Sequence, residues 1–210
     1  MNILVIDLTN ETHFLAIHYN NEKHYFSFID EKRDKKNDWV EKITKIKTKI
    51  PDFSFENLDY MAYAAGPGSY TGARLAFTFL DTIKLLTNCS FYAFSNLSAL
   101  QWKNDSMIPV IKSNKNDYFY KINEKEIYCK DLKEIPENSD FISYSGQILE
   151  LKNIKSIEES QISRNILEMM LDNKNNALES NYPNYIKELN YRKIDGWSFT
   201  NTNNNFEHNS

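Results

Sequence analysis

The first part of the chain alternates short apolar segments with polar turns. Apolar, β-branched and aromatic side chains dominate residues 3–7, 12–19 and 23–29, and an Asn-Asn pair separates the last two segments. Runs of this length and composition are typical of β-strands, and paired asparagines favour a tight turn. The pattern therefore predicts three consecutive strands joined by hairpins, followed by a charged loop at residues 30–36.

A first long helix is predicted at residues 37–50. Its apolar residues recur at steps of four, three and four, at Trp39, Ile43, Ile46 and Ile50. Positions with this spacing share one face of an α-helix, and Pro51 ends the run because proline cannot continue the helix.

A buried strand, a glycine loop and a second helix follow as one unit. Residues 58–65 form an apolar run, residues 66–72 read Gly-Pro-Gly-Ser-Tyr-Thr-Gly, and residues 73–86 have helical character. Ser95 is placed to cap a short helix through about residue 102, since its hydroxyl can accept from a free backbone N–H.

The rest of the chain has shorter signals. Further strands are predicted at residues 91–94, 108–111, 118–122, 127–129 and 140–143, and a helix at residues 162–171. Residues 199–210 contain too few apolar side chains to order themselves. The pattern predicts an N-terminal lobe at 1–102 carrying the glycine loop, a C-terminal lobe at 103–198 and a disordered tail at 199–210.

Composition narrows the class of protein. The 210 residues include 25 basic and 29 acidic side chains, a net charge of −4, so no overall electrostatic signature of phosphate-backbone binding is present. No run of about 18 apolar residues predicts a membrane span, and the N-terminal residues do not read as a signal peptide. Cys89 and Cys129 follow no metal or redox spacing and are expected to be buried in a reducing compartment. We therefore expect a globular, cytoplasmic protein.

The glycine loop is the one sharp motif. Three of the five glycines lie at positions 66, 68 and 72. Such a loop either binds an anion or lets another segment approach closely. The spacing matches neither a Walker A nor a dinucleotide-binding loop. The alternative is a tight strand-to-helix turn with Ser69 or Thr71 as the N-cap.

The loop and its surroundings resemble a known family. Residues 66–74, Gly-Pro-Gly-Ser-Tyr-Thr-Gly-Ala-Arg, are similar to the G-P-G-S-[FY]-T-G-x-R signature of the TsaB family, also called YeaZ. Residues 3–9, 93–100 and 183–187 resemble further segments of that family in the same order. The chain departs from the family at residues 36–39 and 112–114, where many members carry His-Ser-Glu and Asp-Ala-Arg.

The resemblance implies an α/β fold and a role without catalysis. Family members have the two-lobed fold of actin, sugar kinases and heat-shock chaperones, with mixed sheets flanked by helices. The resemblance implies no catalytic residue and no cofactor in this chain. A metal site like that of the catalytic paralogue TsaD would need a His-x-x-x-His pair on the first helix, and residues 37–50 contain no histidine. No metal is expected.

The resemblance also implies partners. It predicts a subunit that docks on a TsaD-like catalytic chain, which transfers threonylcarbamoyl to N6 of the adenosine next to the tRNA anticodon. A TsaE-like ATPase would be the third component, tRNA would be reached indirectly, and family members also form homodimers through the same helices. The loop residues carried over are Gly66, Pro67, Gly68, Ser69, Tyr70, Thr71, Gly72 and Arg74. The expected interface residues are Trp39, Ile43, Ile46, Ala73, Leu75, Ala76 and Phe79.

Three alternatives remain open. The chain could be a stand-alone module that binds an anion or associates with itself. The apolar positions of both long helices could instead cover the chain's own sheet, because a helix over a sheet also needs an apolar stripe. The chain could also be an active enzyme of the same fold, a small ATP-binding phosphotransferase or peptidase acting through Asp7, Thr9 and the glycine loop.

Overall fold

The computed structural model describes residues 1–29, 39–113, 117–136, 139–145, 147, 151–172 and 177–186. The strands are β1 Ile3–Asp7, β2 Thr12–Tyr19, β3 Glu22–Ile29, β4 Tyr60–Ala64, β5 Ser90–Phe94, β6 Ile108–Lys112, β7 Tyr118–Ile122, β8 Lys125–Cys129, β9 Phe141–Tyr144 and β10 Ile154–Ile157. The helices are α1 Trp39–Lys49, α2 Tyr70–Thr87, α3 Asn96–Gln101 and α4 Ser160–Asp172. One-turn 3₁₀ helices lie at Phe55–Asn57 and Leu132–Glu134.

The first sheet has the strand order β3-β2-β1-β4-β5. Its first three strands are joined by hairpins, as predicted. Asn20 and Asn21 have φ angles of 50° and 64°, and a two-residue hairpin turn requires this left-handed conformation, which asparagine tolerates. β1 pairs antiparallel with β2 and parallel with β4, and β4 pairs parallel with β5. β1 is therefore the central strand, and all of its residues are buried.

Helices cover both faces of the first sheet. Leu4 and Ile6 of β1 belong to one hydrophobic core, which includes Ile46 of α1 and Leu80 of α2. Alternate residues of a strand point to opposite faces. Val5 accordingly belongs to a second core, on the side of α3 and α4.

Helix α2 is fixed at both ends by caps. The Ser69 hydroxyl accepts from the Gly72 N–H at 3.2 Å, so Ser69 is the N-cap and Thr71 lies inside the helix. Asn88 ends the helix in the left-handed conformation and donates its N–H to the Lys84 carbonyl. The helix therefore begins three residues before the predicted Ala73, because the glycine loop supplies its first turn.

Helix α1 packs beside α2. The Trp39 and Phe79 rings stack with centroids 3.6 Å apart. Lys42 is buried, with its ammonium 5.2 Å from the centroid of the Phe28 ring on β3, an arrangement in which the ring's electrons attract the charge. The first two residues of the predicted helix, Asn37 and Asp38, lie outside the described residues.

The second sheet has the order β10-β9-β6-β7-β8. β6, β7 and β8 form the predicted antiparallel meander, and β9 pairs parallel with both β6 and β10. Helix α4 follows β10 in the chain but packs against β1, β2 and β4 of the first sheet. The core on the α3 and α4 side also contains Ile142 and Tyr144 of β9, so it joins the two sheets.

The two cysteines lie in the interior of the protein. The buried positions predicted for Cys89 and Cys129 are confirmed, and burial raises the pKa of both thiols to about 11. Strand β10 was not predicted, because only its two terminal residues are apolar. The predicted tail at 199–210 lies outside the described residues.

Candidate functional site

The glycine loop, residues 66–72, is held by the first residue of α3. Gly66 has a φ of +110° and is joined to Pro67 by a cis peptide bond. Its N–H donates to the Asn96 side-chain carbonyl at 3.1 Å, and its own carbonyl accepts from the Asn96 N–H at 2.8 Å. This pair of hydrogen bonds fixes the backbone of Gly66 in a conformation that side-chain-bearing residues rarely adopt.

The other two glycines of the loop let it approach the end of β1. A Cβ atom at Gly68 would lie 2.8 Å from the Thr9 Cβ, and a Cβ atom at Gly72 would lie 1.7 Å from the Leu8 carbonyl oxygen. The Ser69 N–H donates to the Thr9 carbonyl at 2.8 Å. The three glycines therefore serve a strand-to-helix turn packed against the chain's own backbone, the alternative to anion binding that the sequence left open.

A buried polar cluster lies next to this turn and consists of Asp7, Thr9 and Asn96. The Asp7 Oδ1 accepts from the Thr9 N–H at 2.9 Å and from the Thr9 hydroxyl at 2.6 Å. The Thr9 Oγ1 in turn accepts from the Asn96 Nδ2 at 2.8 Å. Because Asn96 also binds Gly66, the cluster connects the end of β1, the glycine loop and the start of α3.

The second oxygen of Asp7 finds no hydrogen-bond partner among the described residues. Burial raises the pKa of Asp7 to about 6, and Glu159 contributes in the same direction. Burial likewise raises the pKa of Tyr144, a β9 residue that is affected by the charge of Asp7. Asp7 and Tyr144 therefore bring one ionisable group from each sheet to the buried side of the first sheet.

Replacing Thr9 by valine tests how far the cluster stabilises the fold. Thr9→Val keeps the side-chain shape but removes the donor to Asp7 and the acceptor for Asn96. We expect the free energy of unfolding to fall by about 2 kcal/mol, because buried polar groups lose their partners. Urea denaturation measures the loss. The matched control is Thr48→Val, at an exposed threonine of α1, which should change the free energy of unfolding by no more than about 0.5 kcal/mol. Equal effects of the two substitutions would contradict a stabilising cluster.

A C-terminal segment, residues 177–186 and here called the strap, crosses the glycine-loop side of the molecule. Its backbone donates from Leu178 to the Ala93 carbonyl at 2.8 Å and from Asn184 to the Ala65 carbonyl at 2.9 Å. The Asn184 side chain donates to Glu126 of β8 at 2.6 Å. The strap therefore binds the edge strand of the first sheet, the end of β4 and the second sheet.

The strap also accounts for two residues of the glycine-loop signature. Tyr70 stacks on Tyr185 with ring centroids 5.2 Å apart. Arg74 donates from its Nε to the Tyr185 hydroxyl at 2.9 Å. Residues 65–70, Ala73 and Phe119 line a small pocket together with Asn184 and Ile186. Residues 183–186, part of a segment singled out in the sequence, thus dock on the loop itself.

The structure divides the predicted interface residues into two groups. Ile46, Ala73 and Ala76 are buried in the chain's own core, which corrects the expectation that they contact a partner. Leu75 is exposed, whereas Trp39, Ile43 and Phe79 are partly buried. Trp39 and Phe79 stack on each other between α1 and α2. Small residues occur on the inner side of α2 because that side approaches the backbone of the chain's own sheet.

Sequence reasoning missed the most exposed apolar residues of the two helices. Val40 of α1 is 75% exposed, and Leu85 and Leu86 of α2 are 79% and 76% exposed. A signal for Leu85 was present. Exposed residues recur along α2 at steps of four, three, four and three, at Thr71, Leu75, Thr78, Thr82 and Leu85. This is the spacing with which one helix packs along another.

Comparisons with known proteins agree with this architecture. No protein-family model and no curated protein matches the sequence. Among solved structures, YeaZ from Pseudomonas aeruginosa superposes with a TM-score of 0.66 at 12% identity, over 88% of this chain and 99% of that one. A crystal structure of an uncharacterized protein with similarity to peptidase YeaZ, from Pseudomonas aeruginosa, gives 0.63 at 12% identity, over 89% and 99%.

At this level of identity the likeness concerns the fold. The chain has the fold of YeaZ, and the predicted fold class is confirmed: an α/β protein of the actin, sugar-kinase and heat-shock-chaperone type, with two mixed five-stranded sheets flanked by helices. None of the described helices is both long and apolar enough to cross a lipid bilayer.

Proposed function

We propose that this chain is a non-catalytic subunit that docks on a TsaD-like catalytic chain. The partner would transfer threonylcarbamoyl to N6 of the adenosine next to the anticodon of tRNA, and this chain would hold the partner in its active state. Three features support the proposal: the fold of YeaZ, the resemblance of residues 66–74 to the TsaB signature, and an exposed helical surface of suitable spacing.

The observation that carries the proposal is the outer surface of α2, here called the α2 stripe. It consists of Thr71, Leu75, Thr78, Thr82, Leu85 and Leu86, all exposed. None of these residues is charged, although charged residues make up 26% of the chain. A helix that faced only water would be expected to carry charge on this side. The α2 stripe is therefore suited to pack against another helix.

Helix α1 extends the surface on one side. The Trp39–Phe79 stack fills the space between α1 and α2. The Phe55 ring also contacts Phe79, with ring centroids 6.0 Å apart. Val40 is exposed at the first turn of α1. The two helices therefore form one rigid surface, which reduces the conformational entropy that binding would cost.

The geometry of the polar cluster favours this proposal over an active phosphotransferase or peptidase. Asp7 and Thr9 are buried, and the Thr9 hydroxyl already binds both Asp7 and Asn96. Groups that act on a substrate must reach it. Calorimetric titration of the purified chain with Mg-ATP separates the two functions, because stoichiometric binding and turnover without a partner would support the enzyme.

Leu85→Arg tests the docking surface. We expect it to weaken binding of the TsaD-like chain from the same genome by about 100-fold or more, because an apolar contact is replaced by an unpaired charge. Its own fold should be unchanged, since Leu85 is exposed. Co-expression followed by size-exclusion chromatography, and calorimetry for the affinity, measure the effect. Ala76→Arg would be uninformative, since Ala76 is part of the core.

Ser156→Arg, on the exposed edge strand β10, is the matched control for an added arginine. It should bind the partner like the parent chain. The proposal would be contradicted if the parent chain formed no complex at micromolar concentration. It would also be contradicted if Leu85→Arg bound the partner with the same affinity as the parent chain. In a strain depleted of the natural protein, the parent chain should restore threonylcarbamoyladenosine in tRNA and Leu85→Arg should not.

A further inference from the structure

The strap, residues 177–186, lies on the side of α2 opposite α1. Successive residues of an α-helix are rotated by about 100°. Tyr70, Arg74 and Phe77 therefore share one side of α2, and the strap contacts this side. Phe79 lies on the other side, against Trp39 of α1. The α2 stripe stands between these two sides, so α1, α2 and the strap form three adjacent elements of one surface.

The strap is held in place along its length. The Tyr63 hydroxyl, from β4, donates to the Asn181 carbonyl at 2.6 Å. Asn184 binds Ala65 through its backbone and Glu126 through its side chain. Pro183, which lies between Asn181 and Asn184 in the sequence, is buried. A segment with this many fixed points presents its exposed side chains in defined positions.

Two tyrosines of the strap stand out from this surface. Tyr182 contacts the Phe77 ring at a centroid distance of 5.1 Å and is still 68% exposed. Tyr185 stacks on Tyr70 and remains 43% exposed. Each ring is supported by an aromatic residue of α2 and turns the rest of its surface to solvent. Rigidly held tyrosines lose little conformational freedom on binding and are frequent hot spots of protein interfaces.

We propose that the strap is the third element of the docking surface, and that Tyr182 and Tyr185 contact the same protein partner that packs on the α2 stripe. This inference rests on the proposed function. The partner surface would be apolar at its centre, facing Leu75 and Leu85, and would offer the strap side groups that pair with aromatic rings. A nucleic acid fits less well, because the chain is net acidic and Glu126 and Glu179 lie on or beside the strap.

Tyr182→Ser tests the proposal. We expect binding of the TsaD-like chain, measured by calorimetry, to weaken about 10-fold or more, whereas Tyr182→Phe should bind within twofold of the parent because it keeps the ring. The control is Ile29→Ser, which removes an apolar side chain of similar exposure, 73%, at the end of β3. Protection of the Asn184 N–H against hydrogen exchange reports whether the strap itself stays docked.

The outcomes separate the two proposals. Normal binding by Tyr182→Ser, with Leu85→Arg still unable to bind, overturns the role of the strap and leaves docking through α2 in place. Binding that is lost only together with protection of Asn184 also counts against a direct contact. A parent chain that binds no partner overturns both.

Discussion

Gly72→Ala is expected to prevent folding, or to lower the free energy of unfolding by more than about 3 kcal/mol. Gly72 lies in the first turn of α2, where alanine would ordinarily stabilise a helix by about 1 kcal/mol relative to glycine. Here the new Cβ atom would lie 1.7 Å from the Leu8 carbonyl oxygen. The Leu8 oxygen belongs to the backbone, and the position of a Cβ atom is fixed by its own backbone. No side-chain rotation can therefore relieve the overlap, and the helix and the chain after β1 must move apart.

The sign of the effect makes this a sharp test. Thr78→Ala, an exposed substitution on the same helix, should leave stability unchanged within about 0.5 kcal/mol. Gly68→Ala should fall between the two, because its Cβ atom would meet the Thr9 Cβ at 2.8 Å. Urea denaturation followed by circular dichroism measures all three variants. A Gly72→Ala protein as stable as the parent would show that the contact between α2 and Leu8 is not required.

The glycine loop shows where sequence reasoning stops. Three glycines within seven residues indicate that something approaches the loop closely, and the sequence predicts this correctly. It does not identify the approaching group, because anions, ligands and backbone all select for glycine. The group is the backbone of residues 8 and 9, about sixty positions earlier in the chain. Contacts over such separations leave no local signal in a single sequence.

Helix α2 is predicted as the correct kind of element, and its expected interface residue Leu75 is exposed, but two other expected interface residues lie on the inner side. Its small residues Ala73 and Ala76 suggested a site for close approach by a partner helix, and the close approach is to the chain's own sheet. The outer side carries leucines separated by threonines, a pattern of low contrast that a search for apolar periodicity passes over. Charge-free spacing at steps of four and three is the better indicator of this surface.

The strands of the first sheet were predictable because hydrophobic runs and turn residues are local features. The strap and α4 were not placed by the sequence, since both cross from the second half of the chain to the first sheet. The strap contains two exposed tyrosines and a single buried proline, so its pattern resembles that of a surface loop. Its position depends on backbone hydrogen bonds to Ala93 and Ala65, which composition does not encode.

Asp7→Asn is expected to stabilise the protein at neutral pH by about 3 kcal/mol. Burial raises the pKa of Asp7 from 3.8 to about 6 in the folded protein. Between these two pH values the folded protein holds a proton that the unfolded chain has already released. The free energy of unfolding therefore falls as the pH rises from about 4 to about 6, at about 1.4 kcal/mol for each pH unit, and remains lower above that range.

Asparagine removes this dependence and keeps the acceptor for Thr9. Its amide nitrogen would take the place of the Asp7 oxygen that lacks a partner. Urea denaturation of the parent and Asp7→Asn at pH 4, 5, 6 and 7 should give nearly equal stabilities at pH 4 and a widening difference up to about pH 6. Asp105→Asn, on the exposed turn after α3, should follow the parent throughout. If Asp7→Asn were less stable than the parent at pH 7, the ionised carboxylate of Asp7 would have to stabilise the fold. Its second oxygen would then need a hydrogen-bond donor, which contradicts the buried cluster described above.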